Sequence, residues 1–413
     1  MSAIPNVMYV ASVAVVLLYK WYTVRNISEL DFFSLYGLTV TAYILSRFAL
    51  AESYKYEKPS AEYFPTVSVA IPAYNEEKYI TKTILHHVKS DYPKQLMEIL
   101  VVNDGSKDNT AQEVRKVIAE HPEVSIRLVD LPQNQGKRRA LAAGVRSATN
   151  EIVVMNDSDS FVHPDAVRRI VQPFQDERVA GVTGHADVYN WKQNLLTRVQ
   201  YVRYFVAFRV YKAAESLYNS VICLSGCLAA YRRSVLAQFL DQWENQKFWG
   251  KSCTYGDDRS LTTFILRGGF KAIYDPGSKT ETVVPDTFRK FWKQQLRWKK
   301  SWLRETYFVS KFIWKRNPMI SLSFYSNAFL TIFSFAIVLR AFFILPAIES
   351  TLPVIYLLGL AVVSFVYLAY CNKNGIYQGW IFPLVWSVLY ALVMVWQIPL
   401  AILTLRDGRW GTR

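Results

Sequence analysis

The chain has 413 residues, 51% hydrophobic, 15% aromatic and 20% charged, with a net charge of +15. It is too apolar for a disordered protein and long enough for two or three units of about 150 residues. Its four cysteines, Cys223, Cys227, Cys253 and Cys371, are too few for a disulfide-stapled scaffold, and its positive balance points to nucleotide phosphates, anionic lipid or nucleic acid.

Two apolar stretches open the chain, Val7–Tyr22 and Phe32–Leu50, each close to the length a bilayer requires. The first lacks a basic leading region, and no small-residue cleavage site precedes Lys20–Arg25. It therefore reads as a retained anchor rather than a signal peptide.

From about Pro65 to Pro285 the pattern alternates. Val67–Ile71, Ile99–Val102, Ile126–Val129 and Ile152–Met155 are short β-branched runs. Glu77–Val88, Asn109–His121 and Lys137–Ala148 have helical spacing. This rhythm predicts a largely parallel sheet with helices on both faces. Ligands of such sheets bind beyond the C-terminal strand ends. Two strands here end in acidic turns, Asn103-Asp-Gly-Ser106 and Asn156-Asp-Ser-Asp159.

Arg289–Arg316 holds ten Lys or Arg and one acid, Glu305, interleaved with Trp292, Trp298, Trp302 and Trp314. That composition suits an amphipathic helix at the headgroup level, with a solvated basic helix as the plainer reading. Three further apolar stretches follow: Leu322–Leu345, Pro353–Tyr370 and Trp380–Leu405. Only Arg340, Glu349 and Lys373 carry formal charge between Ile320 and Leu405, which argues against a purely soluble protein. Pro383 and Pro399 predict a kink or break in the last stretch. Five simple crossings would put the chain ends on opposite sides, and the loop charges are too mixed to fix orientation.

Several residues could carry chemistry. Asp157 and Asp159, two apart at a strand end, suit Mg²⁺ or Mn²⁺ shared with phosphate oxygens, or form a solvated turn. Asp104 could hold a base or ribose, or cap the following helix. Asn134-Gln-Gly-Lys137 places a glycine and a cation before a helix, either an anion site or a solvated loop. Gly256-Asp-Asp-Arg259 could supply a general base, or an N-cap with a surface ion pair. Gln294-Gln-Leu-Arg-Trp298 offers planar phosphate donors and an aromatic sugar platform, or simple membrane-surface packing. Cys223 and Cys227 have no neighbouring His or second Cys pair to suggest zinc. Neither a Gly-x-Gly-x-x-Gly nor a P-loop sequence occurs, which disfavours those nucleotide folds.

Taken with Ile71-Pro-Ala-Tyr-Asn-Glu76, these motifs stand in the order and rough spacing of the processive family 2 glycosyltransferases, which the chain resembles from about Pro65 to Arg316. Gly184-His185, Gln193–Arg198 and Trp410-Gly-Thr-Arg413 resemble bacterial class I hyaluronan synthases. Asp241–Gln246, Phe248–Lys251 and Thr282–Thr287 resemble rhizobial chitooligosaccharide synthases. Hyaluronan synthases usually carry Ser-Gly-Pro where this chain has Ser225-Gly226-Cys227, a segment that borders the acceptor site in the family.

The resemblance implies an α/β, GT-A-like nucleotide-sugar domain over residues 59–286, following two transmembrane helices over 1–58. Interface helices over 287–318 and transmembrane helices with the tail over 319–413 complete it. It implies a membrane enzyme with a cytoplasmic catalytic domain, taking UDP-sugar donors, a growing polysaccharide and Mg²⁺ or Mn²⁺ beside membrane lipid, without nucleic acid. UDP-GlcNAc and UDP-glucuronate would give hyaluronan, exported through the enzyme's own channel. UDP-GlcNAc alone would give chitin-type chains. Asp258 would be the base, with Asp257 beside it, and Asp159 the metal ligand. Tyr74, Glu76, Asp104, Lys137, Asp157, Gln294, Arg297, Trp298, Trp410 and Arg413 would bind substrate. A non-enzymatic nucleotide-binding membrane protein is the remaining alternative.

Overall fold

The computed structural model describes residues 3–25, 32–56, 62–350, 352–376 and 381–408. The strands are β1 (Val67–Ala73), β2 (Met97–Asn103), β3 (Ser125–Asp130), β4 (Ile152–Met155) and β5 (Ser160–Val162). They continue with β6 (Val179–Val188), β7 (Ala229–Arg232), β8 (Lys247–Phe248), β9 (Lys251–Ser252) and β10 (Lys271–Thr282). Among the described residues eight of them form one sheet in the order β3-β2-β1-β4-β7-β6-β10-β5, and β8 and β9 pair separately.

The four strands expected from the sequence run parallel to their neighbours, from β3 through β4. The mixed part was not foreseen. β7 pairs antiparallel with both β4 and β6, and β5 antiparallel with β10.

Every residue of β1, β2 and β4 is buried because helices cover both faces. The side chains alternate between two cores. Val69, Ile71, Ile99, Val101 and Val154 meet the helices Ile80–Val88 and Thr110–Glu120. Ala70, Leu100 and Val153 face the helix Lys137–Ser147. This second core runs on without interruption into Phe48, Val366, Tyr370 and Phe382, which belong to the apolar helices. The nucleotide-type domain therefore packs directly on them.

Three helical segments of the described chain are long and apolar enough to cross a membrane: Pro318–Glu349, Tyr356–Lys373 and Ile381–Leu403. The last is broken, as the prolines suggested, into Ile381–Leu392 and Gln397–Leu403 around a 3-10 turn at Met394–Trp396. Pro383 and Pro399 lie in the first turn of these pieces, where a missing N–H costs little. Helices also form at Ala3–Arg25 and Phe32–Ser53, though neither is among those three. The second is tied to Pro318–Leu339 by Tyr36 Oη on the Leu330 carbonyl (2.7 Å) and Arg47 on Ser323 Oγ (2.6 Å).

The basic stretch forms one helix, Phe288–Ser310. Its inner face is more polar than lipid packing requires, burying Gln295, Lys300, Ser301, Arg304 and Glu305. The reason is its position, since it packs against the helix Asp257–Arg267 and walls the cavity described below.

β10 breaks register between Tyr274 and Lys279, and the bulge buries Asp275 completely. One carboxylate oxygen accepts the Gly277 N–H at 2.8 Å and the other is unpartnered. Burial pushes this carboxyl up to about 6, against the pull of Gly277 and Arg169. The folded chain thus holds the proton more tightly than the unfolded chain. The stabilisation is full below the ordinary value of 3.8 and is lost as pH rises to about 6. Asp275→Asn is expected to stabilise the protein at pH 7.5 by up to roughly 3 kcal/mol and to flatten the dependence between pH 4 and 6. Denaturant unfolding at several pH values checks this.

Candidate active site

Strand register fixes where the site can be. Ala73 lies opposite Asn103, and Ala70 opposite Met155, so β1, β2 and β4 end along one edge. Tyr74, Asp104 and Asp157 leave that edge together. A cavity of about 1410 Å³ opens there. It is lined by Tyr74, Glu76, Asp104, Lys137, Asp157, Asp159, Asp257, Asp258, Gln294, Arg297 and Trp298. Trp410 and Arg413 lie outside the described residues. The chain leading to them reaches the site, for Gly408 lines the cavity and its carbonyl accepts from Thr254 Oγ1.

Asp104 is 2% exposed and its two oxygens accept the N–H groups of Gln135 (2.7 Å) and Gly136 (2.8 Å). Burial pushes its carboxyl up and these two bonds pull it back in part. Its visible work is to shape the loop that delivers Lys137, while each oxygen keeps a further lone pair for a ligand. Gly105 makes this close approach possible. It sits at φ +64°, and a Cβ there would lie 2.5 Å from the Gln133 backbone.

Lys137 begins its helix and donates to Asp157 Oδ1. Burial opposes its charge, but Asp157, Asp257 and Asp258 override that and raise its pKa. Asp159 is pushed up to about 7, first by burial and then by the charge of Asp157, with Lys137 opposing. Two carboxylates thus share one ammonium, and the pair has room electrostatically for a further cation. Hard oxygen donors of this kind suit Mg²⁺ or Mn²⁺. No group of three or more candidate ligands occurs among the described residues, so phosphate oxygens and water would have to complete the shell.

The adjacent Asp257 and Asp258 separate in role. Asp257, expected beside the base, is 5% exposed and paired with Arg138 Nε at 2.8 Å. Arg138 also reaches the Trp243 carbonyl and Gln246 Oε1, both at 3.0 Å. The pairing has a physical cause: a buried guanidinium demands a buried carboxylate. Both line the cavity, but Asp258 has no such ion pair, with one oxygen accepting the Arg259 N–H at 2.7 Å and the other 3.5 Å from Cys223 Sγ. Lys137 and Arg138 are neighbours, so one helix turn ties the cation to the acidic turn. Gly256 feeds that turn at φ +77°, and a Cβ there would strike the Ser301 hydroxyl at 1.8 Å.

Residues outside the expected binding and catalytic set also line the cavity. Cys223 and Cys227 do so, both with thiols raised chiefly by burial, to about 11 and about 12. Arg203, Tyr204 and Lys299 line it on the side of the apolar helices. Arg203 sits in a helix of mixed character, and only tertiary placement reveals it.

Residues 65–301 match the family described as Glycosyltransferase like family 2. The chain belongs to it and is a family 2 glycosyltransferase. It is 35% identical over 295 residues to an N-acetylglucosaminyltransferase of Rhizobium meliloti, covering 70% of this chain and 68% of that one. It is 32% identical over 292 residues to a hyaluronan synthase of Streptococcus pyogenes, again covering 70% and 68%. An N-acetylglucosaminyltransferase of Bradyrhizobium diazoefficiens is 36% identical over 244 residues, 59% of this chain but only 50% of that one. In fold the chain resembles a mannosyltransferase from Pyrobaculum calidifontis solved with GDP-Man and Mn²⁺. The TM-score is 0.60 at 24% identity, covering 87% of this chain and 99% of that one. The GT-A-like architecture is thereby established.

The Arg138–Asp257 pair yields a stability test. Arg138→Met strands Asp257 and is expected to cost about 3–5 kcal/mol. Adding Asp257→Leu should recover most of that loss, as measured by unfolding of the single and double variants.

Proposed function

We propose that the chain builds a β-linked polysaccharide by inverting transfer from UDP-sugars, with UDP-GlcNAc and UDP-glucuronate giving hyaluronan. The observation that carries this is one continuous cavity. It holds Asp157, Asp159 and Asp258 at one end and reaches Asn327, Thr331 and Tyr390 of the apolar helices at the other.

An acceptor hydroxyl attacks the anomeric carbon of the donor, opposite its bond to the diphosphate. That bond breaks and UDP leaves. Asp258 takes the hydroxyl proton as the new bond forms, and inversion gives a β-linkage. Asp104 contacts the nucleoside, while Lys137, Gln294 and Arg297 hold the diphosphate. Tyr74 and Glu76 stand at the nucleoside end. Trp298 presents a flat apolar face to the acceptor sugar. Asp159, with Asp157, would hold Mg²⁺ or Mn²⁺, which neutralises charge on the leaving diphosphate. Asp257 is a positioning residue that acts through Asp258. Trp410 and Arg413 are proposed to close the site from the tail. Alignment and charge neutralisation supply most of the acceleration.

A polar sugar chain cannot enter hydrocarbon unaided. Export along the cavity and between the helices Pro318–Leu339 and Ile381–Leu392 answers that constraint, with the catalytic domain on the cytoplasmic side. A second reading, chitooligosaccharide synthesis from UDP-GlcNAc alone, is favoured by the 35% identity to an enzyme named N-acetylglucosaminyltransferase. Polymer assays with UDP-GlcNAc, then with both donors, separate the two.

Asp258→Asn is expected to lower transfer by about 10²–10⁴-fold while leaving donor affinity nearly unchanged. Turnover measured beside nucleotide titration checks it, and near-normal turnover would remove Asp258 from the role. Asp159→Asn should weaken UDP binding in Mn²⁺ by about tenfold or more. Unaltered Mn²⁺-dependent affinity would refute the metal assignment.

A further inference from the structure

The cavity's far end holds two cations that the mechanism above does not use. Arg203 has two indoles within cation–π range, its Cζ 5.2 Å from the centroid of the Trp298 ring and 5.1 Å from that of the Trp386 ring. Such contacts hold a guanidinium in place, and its planar N–H groups can still donate to a ligand. No carboxylate pairs with it among the described residues, and its electrostatic neighbours are the hydroxyls of Tyr204 and Tyr390. Lys299 stands next to it, donating to Gln397 Oε1 at 3.2 Å with its ammonium 5.3 Å from the Tyr390 ring centroid. It too has no acidic partner among the described residues. Burial, then the charge of Arg203, pushes Lys299 down to about 7.

Two half-buried cations side by side destabilise one another unless an anion joins them. The donor diphosphate is poorly placed to be that anion. Arg297, on the donor side, feels Asp257, Asp157 and Asp258, whereas Arg203 feels none of the three. Arg203 instead shares Trp298, the acceptor platform, with Tyr204, whose ring lies 6.5 Å from that indole. The other indole beside Arg203, Trp386, stands on an apolar helix. An anion at this position belongs to the sugar chain already made.

We propose that Arg203 and Lys299 form a subsite for the carboxylate of a uronic acid unit in the growing polymer, just beyond the acceptor platform. The inference rests on the transferase reading above and narrows its product to an acidic chain. A planar guanidinium matches a carboxylate with two parallel hydrogen bonds, and a neutral acetamido sugar offers no equivalent.

The test uses the full-length protein in lipid nanodiscs. Binding of a hyaluronan tetrasaccharide and of chitotetraose is measured in the presence of UDP and Mn²⁺, with UDP release from UDP-GlcNAc recorded on the same sample. The wild type is expected to prefer the acidic oligosaccharide by about tenfold or more. Arg203→Gln and Lys299→Gln should each bring that ratio down to within about threefold, and Arg203→Lys should retain an intermediate preference. Lys299→Gln keeps the test open if the Arg203 variants fail to fold. Equal wild-type affinity for the two oligosaccharides, or an unchanged ratio in both Gln variants, would overturn the subsite while UDP release still upheld the transferase reading. Absence of UDP release with any UDP-sugar would instead overturn that reading.

Discussion

Like charge confined in a partly buried cavity is the condition on which the rest of the site depends. Asp157 and Asp159 leave the same strand end, and Asp258 faces the same space. One ammonium, on Lys137, answers the strand-end pair directly. Burial first, and then the charge of Asp157, push Asp159 toward neutrality. A cation bound with a sugar diphosphate would relieve that crowding. The site is therefore organised around a charge deficit, which the proposed donor complex would fill.

That deficit is kept in place by packing remote from it. Asp104 clamps the loop before Lys137, and Arg138, the next residue, grips Asp257 beside Asp258. Donor loop and base turn are thus joined through one short helix segment. The same helix contributes Leu141 and Val145 to the core that continues into Phe48, Tyr370 and Phe382 of the apolar helices. Motion of those helices against the sheet would disturb this core, so the far end of the cavity and its acidic end share one packed frame.

Much of this was legible in the residue pattern, and the exceptions have physical causes. β1, β2 and β4 announce themselves because strands covered on both faces must be largely apolar. β10 does not, since Asp275-Pro276-Gly277 reads as a turn and is in fact a bulge within one long strand. β7 is four residues long and antiparallel, and no periodicity can show such an insertion. Most motif residues gather in the cavity because they lie at strand ends and helix starts, where local sequence and local geometry coincide; Gln294, Arg297 and Trp298 instead face it from within one long helix. The burial of Asp257 carried no signal in the residue pattern, because its partner Arg138 lies more than a hundred positions away. Arg203 carried no signal for the same reason, its two indole partners coming from distant helices.

The most direct test of the central claim is a structure of the protein in lipid with UDP-GlcNAc and Mn²⁺. The account predicts the metal bound to Asp159 and the diphosphate between Lys137 and Arg297. It also predicts the sugar facing Asp258, at the mouth of the path toward Trp298 and Tyr390. A nucleotide seated elsewhere, or a metal with no contact to Asp159, would contradict it.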